Sequence, residues 1–385
     1  MLQRPILRCN SHLSISRCKL TTFCGSLPSR PLKYAAPIRH FSSTSPSPNK
    51  SRPFYSSPFF AIPTAFLLGY ITYTYTTKPP SLPINPYTFT PYTITSTIPL
   101  SPTSSIITLL PKRSSPPPPH FWSTISAAGL WSIQIKQPQL QIQREYTPLP
   151  AITTLTDNSP HQQDPKDENQ LDIFIRGVNG GELSNYLLSL KAGDVVEVRG
   201  PVITYTWTPE PPLQTPQEVN VKDSEGDVRN AVFIAGGTGI SPAIQLAQHL
   251  LTRHHTDGKK RQLTILFASR SSTETVLPHL KALENLKQAG GVDVHIKYFY
   301  DNKGSFINKS EVESAIGGLI SASKDGSSTA GKDVILVSGP EGFVTHFAGK
   351  KEWKDGMETQ GVLGGIVGEV LRGRKQGGKI EVMKL

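Results

Sequence analysis

Four short strings hold most of the chemistry available to this chain. Gly236-Gly237-Thr238-Gly239-Ile240-Ser241-Pro242 sets three glycines ahead of an apolar run. Glycines at that density let a dinucleotide approach the main chain, and Thr238 puts a hydroxyl beside them. Gly180-Gly181-Glu182-Leu183-Ser184 precedes the apolar stretch 186–190. A glycine turn entering a helix offers free N–H groups to an anion. Ser184 also suits a plain N-cap. Arg144-Glu145-Tyr146-Thr147-Pro148 carries a guanidinium, which matches phosphate oxygens through two parallel bonds. An ordinary strand end with a satisfied Arg reads the same way. The last string is Ser338-Gly339-Pro340-Glu341-Gly342-Phe343.

The elements that must position these strings differ along the chain. Residues 87–98 alternate through Phe89, Tyr92, Ile94 and Ile98 and predict a first strand. Residues 131–136, 171–176 and 195–198 alternate too, with turn residues between them. Short strands of this kind predict an antiparallel barrel. From Asn230 the texture changes. Strands are predicted at 231–235, 263–268, 292–299 and 333–337, and helices at 242–251, 279–288 and 311–320. That alternation predicts a doubly wound parallel sheet with its ligand at the C-terminal ends of the strands. The glycine string at 236–239 follows the first such strand, and Pro242 is expected to start the helix. Ser338 ends another strand. Residues 157–170 read as a surface loop, and 208–230 as a linker.

In this order the four strings resemble the ferredoxin reductase-type flavoproteins, in which an FAD domain precedes a pyridine-nucleotide domain. The resemblance covers roughly 87–385. It implies an FAD-binding β-barrel at 87–207, the linker, and an NAD(P)-binding Rossmann-like domain at 231–385. By that resemblance Arg144 pairs with the FAD pyrophosphate, Tyr146 packs on the flavin ring, and Thr147 hydrogen-bonds near the ring's N5. Arg176 matches a basic position near the FAD phosphates in cytochrome b5 reductase. Gly181, Glu182, Leu183 and Ser184 match a Gly-x-x-Ser string that holds the pyrophosphate. Gly236, Gly237, Thr238 and Gly239 meet the dinucleotide, with Thr238 touching both cofactors. Gly339 and Pro340 continue a string that usually begins Cys-Gly-Pro, the Cys lying near the nicotinamide. Ser338 is a departure there, and it leaves a weak or mainly FAD-dependent role open. Arg270, in Ser269-Arg270-Ser271 after the second strand, suits a 2′-phosphate or plain solvent. NADH and NADPH are therefore both open as electron donors.

Composition excludes other classes. The net charge is +11, yet residues 1–144 hold 14 Lys/Arg and no acid, while 145–385 hold 26 basic and 29 acidic residues. The basicity belongs to the leader, which argues against nucleic-acid binding. Cys9, Cys18 and Cys24 are the only cysteines. If the leader is removed, Cys-ligated metal and Cys nucleophiles are excluded, and no metal is expected. His249, His254 and His255 lie on or beside one helix without a matching carboxylate, and they read as surface residues. No nucleophile or acid–base dyad emerges.

Residues 1–41 have the Arg- and Ser-rich, acid-free composition of a mitochondrial presequence, and Arg39-His40-Phe41-Ser42-Ser43 resembles a matrix-peptidase cleavage pattern at its end. Between Arg52 and Lys78 there is no charge, and 59–75 read as one transmembrane anchor. Lys50 and Arg52 against Lys78 bias the N-terminus to the matrix, so the remainder faces the intermembrane space. The run 131–150 resembles the fungal mitochondrial cytochrome c import factors, a subfamily at the inner membrane. That resemblance implies an NAD(P)H oxidoreductase passing electrons to haem, with cytochrome c haem lyase and apocytochrome c as partners. A cytochrome b5 reductase-like enzyme and a non-enzymatic FAD-containing assembly factor are the alternatives.

Overall fold

The computed structural model describes residues 84–112, 121–152, 170–207, 227–289, 292–325, 331–374 and 380–385. The expected presequence (1–41), anchor (59–75) and most of the expected loop and linker lie outside the described residues. Among the described residues no helix is long and apolar enough to cross a membrane.

The first half is a seven-stranded antiparallel sheet. Its elements are β1 (Thr90–Ser101), β2 (Ser104–Pro111), α1 (Phe121–Ala128), β3 (Gly129–Lys136), β4 (Gln143–Tyr146), β5 (Pro148–Leu149), β6 (Leu171–Arg176), α2 (Glu182–Ser189) and β7 (Val195–Thr206). The strand order is β4-β3-β7-β1-β2-β6-β5. The two edge strands, β4 and β5, are separated in sequence by Thr147 alone. A sheet whose outermost strands are joined by one residue must curl round on itself. The Arg144–Pro148 string is thus the seam of the curl.

Period-2 patterning fills the inside of this curl. Ile173 and Ile175 join Tyr92, Ile94, Ile107, Leu109, Ile133, Ile135, Val196 and Val198 in one buried cluster. Leu183 and Leu187 of α2 enter the same cluster, each burial contributing about 2 kcal/mol. The outer face of β2 and β6 is apolar as well. Ile106 pairs with Phe174 in register, and both belong to a second cluster shared with the parallel sheet. The first strand differs from expectation. Its register shifts between Ile94 and Ser96, so the alternation breaks there and Ile98 is left exposed.

The second half is a five-stranded parallel sheet of order β10-β9-β8-β11-β14. Its elements are β8 (Val228–Gly236), α3 (Ile240–Asp257), β9 (Arg261–Ser269), α4 (Leu277–Ala289), β10 (Val292–Tyr300), α5 (Lys309–Asp325), β11 (Lys332–Ser338), α6 (Glu341–Ala348), the hairpin β12 (Glu352–Lys354) and β13 (Met357–Thr359), α7 (Gly365–Gly373) and β14 (Ile380–Lys384). Val232, Ile234, Ile335 and Val337 face α5, α6 and α7. Ala231, Phe233, Leu263, Ile265 and Leu336 face α3 and α4 in a cluster that runs on into Leu130, Phe174, Tyr205 and Trp207 of the curled sheet. One apolar core therefore joins the two sheets.

Three expectations need correction. β8 begins at Val228, so Asn230 lies within the strand and not in the linker. Helix α3 begins at Ile240, two residues before Pro242, whose missing N–H still falls among the unpaired donors of the first turn. His249 is not a surface residue. It is 5% exposed, and its Nε2 lies 3.1 Å from Asp227 Oδ1. Arg253 Nε and Arg261 Nη2 reach Asp227 Oδ2 at 2.7 and 3.2 Å, and the Trp207 ring stacks on His249 at 4.4 Å. Its neighbours differ: His254 Nδ1 lies 2.9 Å from the Lys259 carbonyl, and His255 is exposed.

Candidate functional site

The site forms where the strand order reverses. β8 is followed in sequence by β9 on one side, and β11 lies on its other side. Ligands of open α/β sheets bind in the crevice at that point. Ala235 and Ser338 are register partners there, so the glycine string after β8 and the Ser-Gly-Pro string after β11 emerge together. Gly237 has φ +57, in the region that favours glycine, and the Arg176 guanidinium lies against it. A side chain on Gly239 would collide with the Ser338 carbonyl. The Phe343 ring fills the space over Gly236 and Gly339. What is left facing out is Thr238, which is exposed, beside Ser338, which is 8% exposed. Neither α3 nor α6 has a side-chain cap, so both N-termini open here with Gly239 and Pro340 as the capping residues.

One buried side chain ties the curled sheet's seam to the helix that follows the glycine turn. Gln245, 7% exposed on α3, accepts from the Trp131 N–H at 3.1 Å and donates to the Pro148 carbonyl at 2.9 Å. Because Pro148 ends the Arg144–Pro148 string, Gln245 fixes that seam relative to the glycine turn. Sequence reasoning missed Gln245. The available signal was a polar residue inside a helical run that is buried on every side, where a polar group needs partners.

Along β4, Tyr146 pairs with Ile133 and Arg144 with Ile135, so both share the face of those core residues. Glu145 lies on the other face and accepts from Ser132 and Gln134 at 3.1 and 3.0 Å. Burial pushes the Tyr146 phenol up to about 12, with the Arg144 charge working the other way. Arg144 is exposed, and its Nη1 donates to the Gln143 carbonyl at 2.9 Å. Thr147 is half-buried at the seam.

At α2 the N-cap is Gly181 and not Ser184, and no side chain caps the helix. Ser184 turns its hydroxyl back to the Gly181 carbonyl at 3.2 Å. Leu183 is 3% exposed and faces the core, and the Glu182 side chain is exposed. Glu182, Leu183 and Ser184 can therefore serve an anion only through their main-chain N–H groups. Arg176 departs most from expectation. Its Nε lies 3.3 Å from Glu274 Oε2, in the other half of the molecule. Both atoms are buried, and neither has an aligned hydrogen bond. Burial holds the Arg176 guanidinium below its usual value, Glu274 opposing this and Arg270 adding to it. Arg270 is exposed after β9.

These donors fit a dinucleotide's phosphates: an uncapped helix N-terminus, an outward guanidinium at the seam, and a buried Arg whose Nε is not saturated. The crevice between β8 and β11, with main chain on both walls, fits a second nucleotide.

Comparison with known proteins agrees. Residues 131–207 match the family described as the oxidoreductase FAD-binding domain, and residues 228–362 match the ferric reductase NAD binding domain. The chain thus carries the two domains of a ferredoxin reductase-type flavoprotein. It is an FAD-dependent NAD(P)H oxidoreductase. It is 26% identical to the cytochrome c mitochondrial import factor CYC2 of Saccharomyces cerevisiae, over 83% of this chain and 91% of that one. It is 30% identical to an NADH-cytochrome b5 reductase-like protein of Arabidopsis thaliana, over 52% of this chain and 54% of the relative. The cytochrome b5 reductase domain of Ulva prolifera nitrate reductase has the same fold, with a TM-score of 0.50 at 17% identity, over 78% of this chain and all of that one.

Proposed function

We propose that this protein is a mitochondrial, membrane-anchored reductase that carries electrons from a reduced pyridine nucleotide to haem iron, in support of haem attachment to cytochrome c. The observation that carries this reading is the similarity to the yeast import factor, which extends over 91% of that protein and well beyond the two matched domains. The anchor is 59–75, the presequence is 1–41, and the two domains face the intermembrane space. Haem lyase and apocytochrome c are the partners.

FAD, when bound, accepts a hydride and releases electrons singly, which suits a one-electron acceptor such as haem iron. The chain supplies position and electrostatics. Arg144, Arg176 and the N–H groups of Glu182, Leu183 and Ser184 would hold the phosphates, with Gly181 shaping the turn, and Tyr146 would pack on the ring. Thr147 donates beside it. Gly236–Gly239 and Gly339–Pro340 bring the turns after β8 and β11 together at the crevice, where Thr238 and Ser338 would present hydroxyls to the bound nucleotides. No side chain needs to move a proton in the transfer.

A second reading, electron delivery to a cytochrome b5, is favoured by the Arabidopsis relative. The test uses the full chain purified in detergent. Anaerobic NADH or NADPH should bleach its oxidised flavin absorbance, and the reduced protein should then reduce haemin. Persistent yellow colour with both nucleotides would sink both readings. Fast reduction of cytochrome b5 with none of haemin would favour the second.

A further inference from the structure

The adenosine end of a nucleotide in the crevice must lie towards β9 and β10, where the sheet's C-terminal edge continues. Three features meet there. Arg270, just after β9, is exposed and has no carboxylate partner among the described residues. Its main chain is fixed, because its carbonyl accepts from the Asn302 N–H at 3.0 Å in the turn after β10. Ser271 Oγ accepts from the Thr273 N–H at 3.2 Å and lies 3.0 Å from the Thr273 hydroxyl. A guanidinium and three hydroxyls thus share the four consecutive residues Arg270-Ser271-Ser272-Thr273.

The nearest acid in sequence is already engaged. Glu274 Oε1 accepts from the Thr103 hydroxyl at 3.0 Å, and Oε2 lies 3.3 Å from Arg176 Nε. Both partners belong to the curled sheet. A carboxylate at the end of this strand would bind a ribose 2′-hydroxyl and repel a 2′-phosphate. Here the FAD-binding half holds that carboxylate to itself. Asp301, exposed after β10, is the competing acid. Lys303 stands two residues on, with its ammonium 5.2 Å over the Tyr300 ring.

We propose that this site selects NADPH over NADH, with Arg270 as the specificity-determining residue that binds the 2′-phosphate, beside the Ser271 and Thr273 hydroxyls. The selection is set jointly by the two halves, because Arg176 and Thr103 withdraw the carboxylate that would favour NADH. The proposal rests on the reading of the crevice as a pyridine-nucleotide site.

The experiment uses the full chain with FAD bound and two probes that carry no nicotinamide, adenosine 2′,5′-bisphosphate and 5′-AMP, titrated calorimetrically. The bisphosphate should bind about 30-fold more tightly, the scale of a charge-assisted pair of hydrogen bonds. Arg270→Ala should cut that preference to about 3-fold or less, and Arg270→Lys should keep part of it. Flavin content and melting temperature report whether each variant folds. Equal binding of the two probes by the unaltered protein overturns the proposal, as does a preference that survives Arg270→Ala. Preference for NADH that Asp301→Asn abolishes overturns it too, making Asp301 the discriminator. Failure here is separable from failure of the hydride-transfer reading. Bleaching by NADH and NADPH at equal kcat/KM keeps that reading and ends this one. Arg270-dependent probe binding without bleaching does the reverse.

Discussion

The two ends of the joint between the sheets are built from opposite materials. At the end formed by the starts of β8 and β9, Trp207 of the first half stacks on His249, which is itself held with Arg253 and Arg261 around Asp227. At the starts of β11 and β14, Tyr205 donates to Glu381 at 3.0 Å, and Lys332 reaches the same carboxylate at 3.1 Å. At the other end the turns after β8 and β11 close on each other, Gly239 against the Ser338 carbonyl and Gly339 against Gly236, and the curled sheet reaches them through Arg176, which lies against Gly237. That second end brings the two turns that frame the crevice into close approach. A strong clamp remote from the site lets the site itself be sparse.

Breaking the clamp should have the largest effect. Asp227→Ala removes the carboxylate on which the half-buried Arg253 and the buried Arg261 converge, and about 3–5 kcal/mol of stability should be lost in urea denaturation. The pH dependence follows from the same cluster. Burial holds His249 neutral, below its usual range, although Asp227 opposes this. Once the pH falls under about 6.5 the unfolded chain binds more protons than the folded one, so stability should decline on acidification. Burial would raise the Asp227 carboxyl, but the hydrogen bond to His249 and the hydrogen bond and charge of Arg253 outweigh it and hold it well below the usual range. Its contribution is therefore present above about pH 4 and fades only below that. His249→Phe should lessen the decline that starts near pH 6.5, leaving the share of His279, which burial also holds below its usual range against the Pro150 carbonyl, and leave the acid one.

Damage at the sparse end should be smaller in stability and larger in ligand binding. In Gly239→Ala the new methyl meets the Ser338 carbonyl, and both are main chain, so neither side can yield cheaply. Stability should fall by about 2–3 kcal/mol. Nucleotide-dependent bleaching should be lost in protein that still folds in the cold. A variant that bleaches at the ordinary rate would mean that the close approach of the two strings is not needed.

The same contrast explains what the sequence could disclose. A glycine's requirement is local, so the strings at 180–181, 236–239 and 339 were legible, as were the apolar runs of the parallel sheet. β2 was not, because Ile106 faces the parallel sheet while Ile107 and Leu109 face the barrel interior, and a doubly buried strand loses its alternation. Helix α7 was hidden by three glycines within Gly365–Gly373. His249 was misread because its carboxylate lies 22 residues away, and the Arg176–Glu274 pair crosses from one half to the other. Side-chain pairing at such separations leaves no local pattern.

The pair Arg176–Glu274 sits between the two regimes, with side chains only 13% and 14% exposed at the edge of the crevice. Glu274→Gln keeps the shape and removes the charge. Stability should fall by about 1–2 kcal/mol, less than for Asp227, since Arg176 Nε and Glu274 Oε2 are not aligned as a hydrogen bond. A double-mutant cycle with Thr103→Val would show whether Thr103 and Arg176 hold Glu274 as one unit.

Ser338→Cys should move stability least and sharpen the comparison most. Ser338 is nearly buried at the end of β11, in register with Ala235, and a thiol differs little in volume from a hydroxyl. Stability should therefore stay within about 0.5 kcal/mol. The rate of flavin bleaching in anaerobic stopped flow should rise, because the variant restores the residue type usual in Cys-Gly-Pro beside the nicotinamide. The two halves would then be held as before, and only the contact between the reacting rings would change. An unchanged rate would mean that position 338 does not govern transfer, and that the bare main chain of Gly237, Gly239 and Gly339 does the positioning unaided.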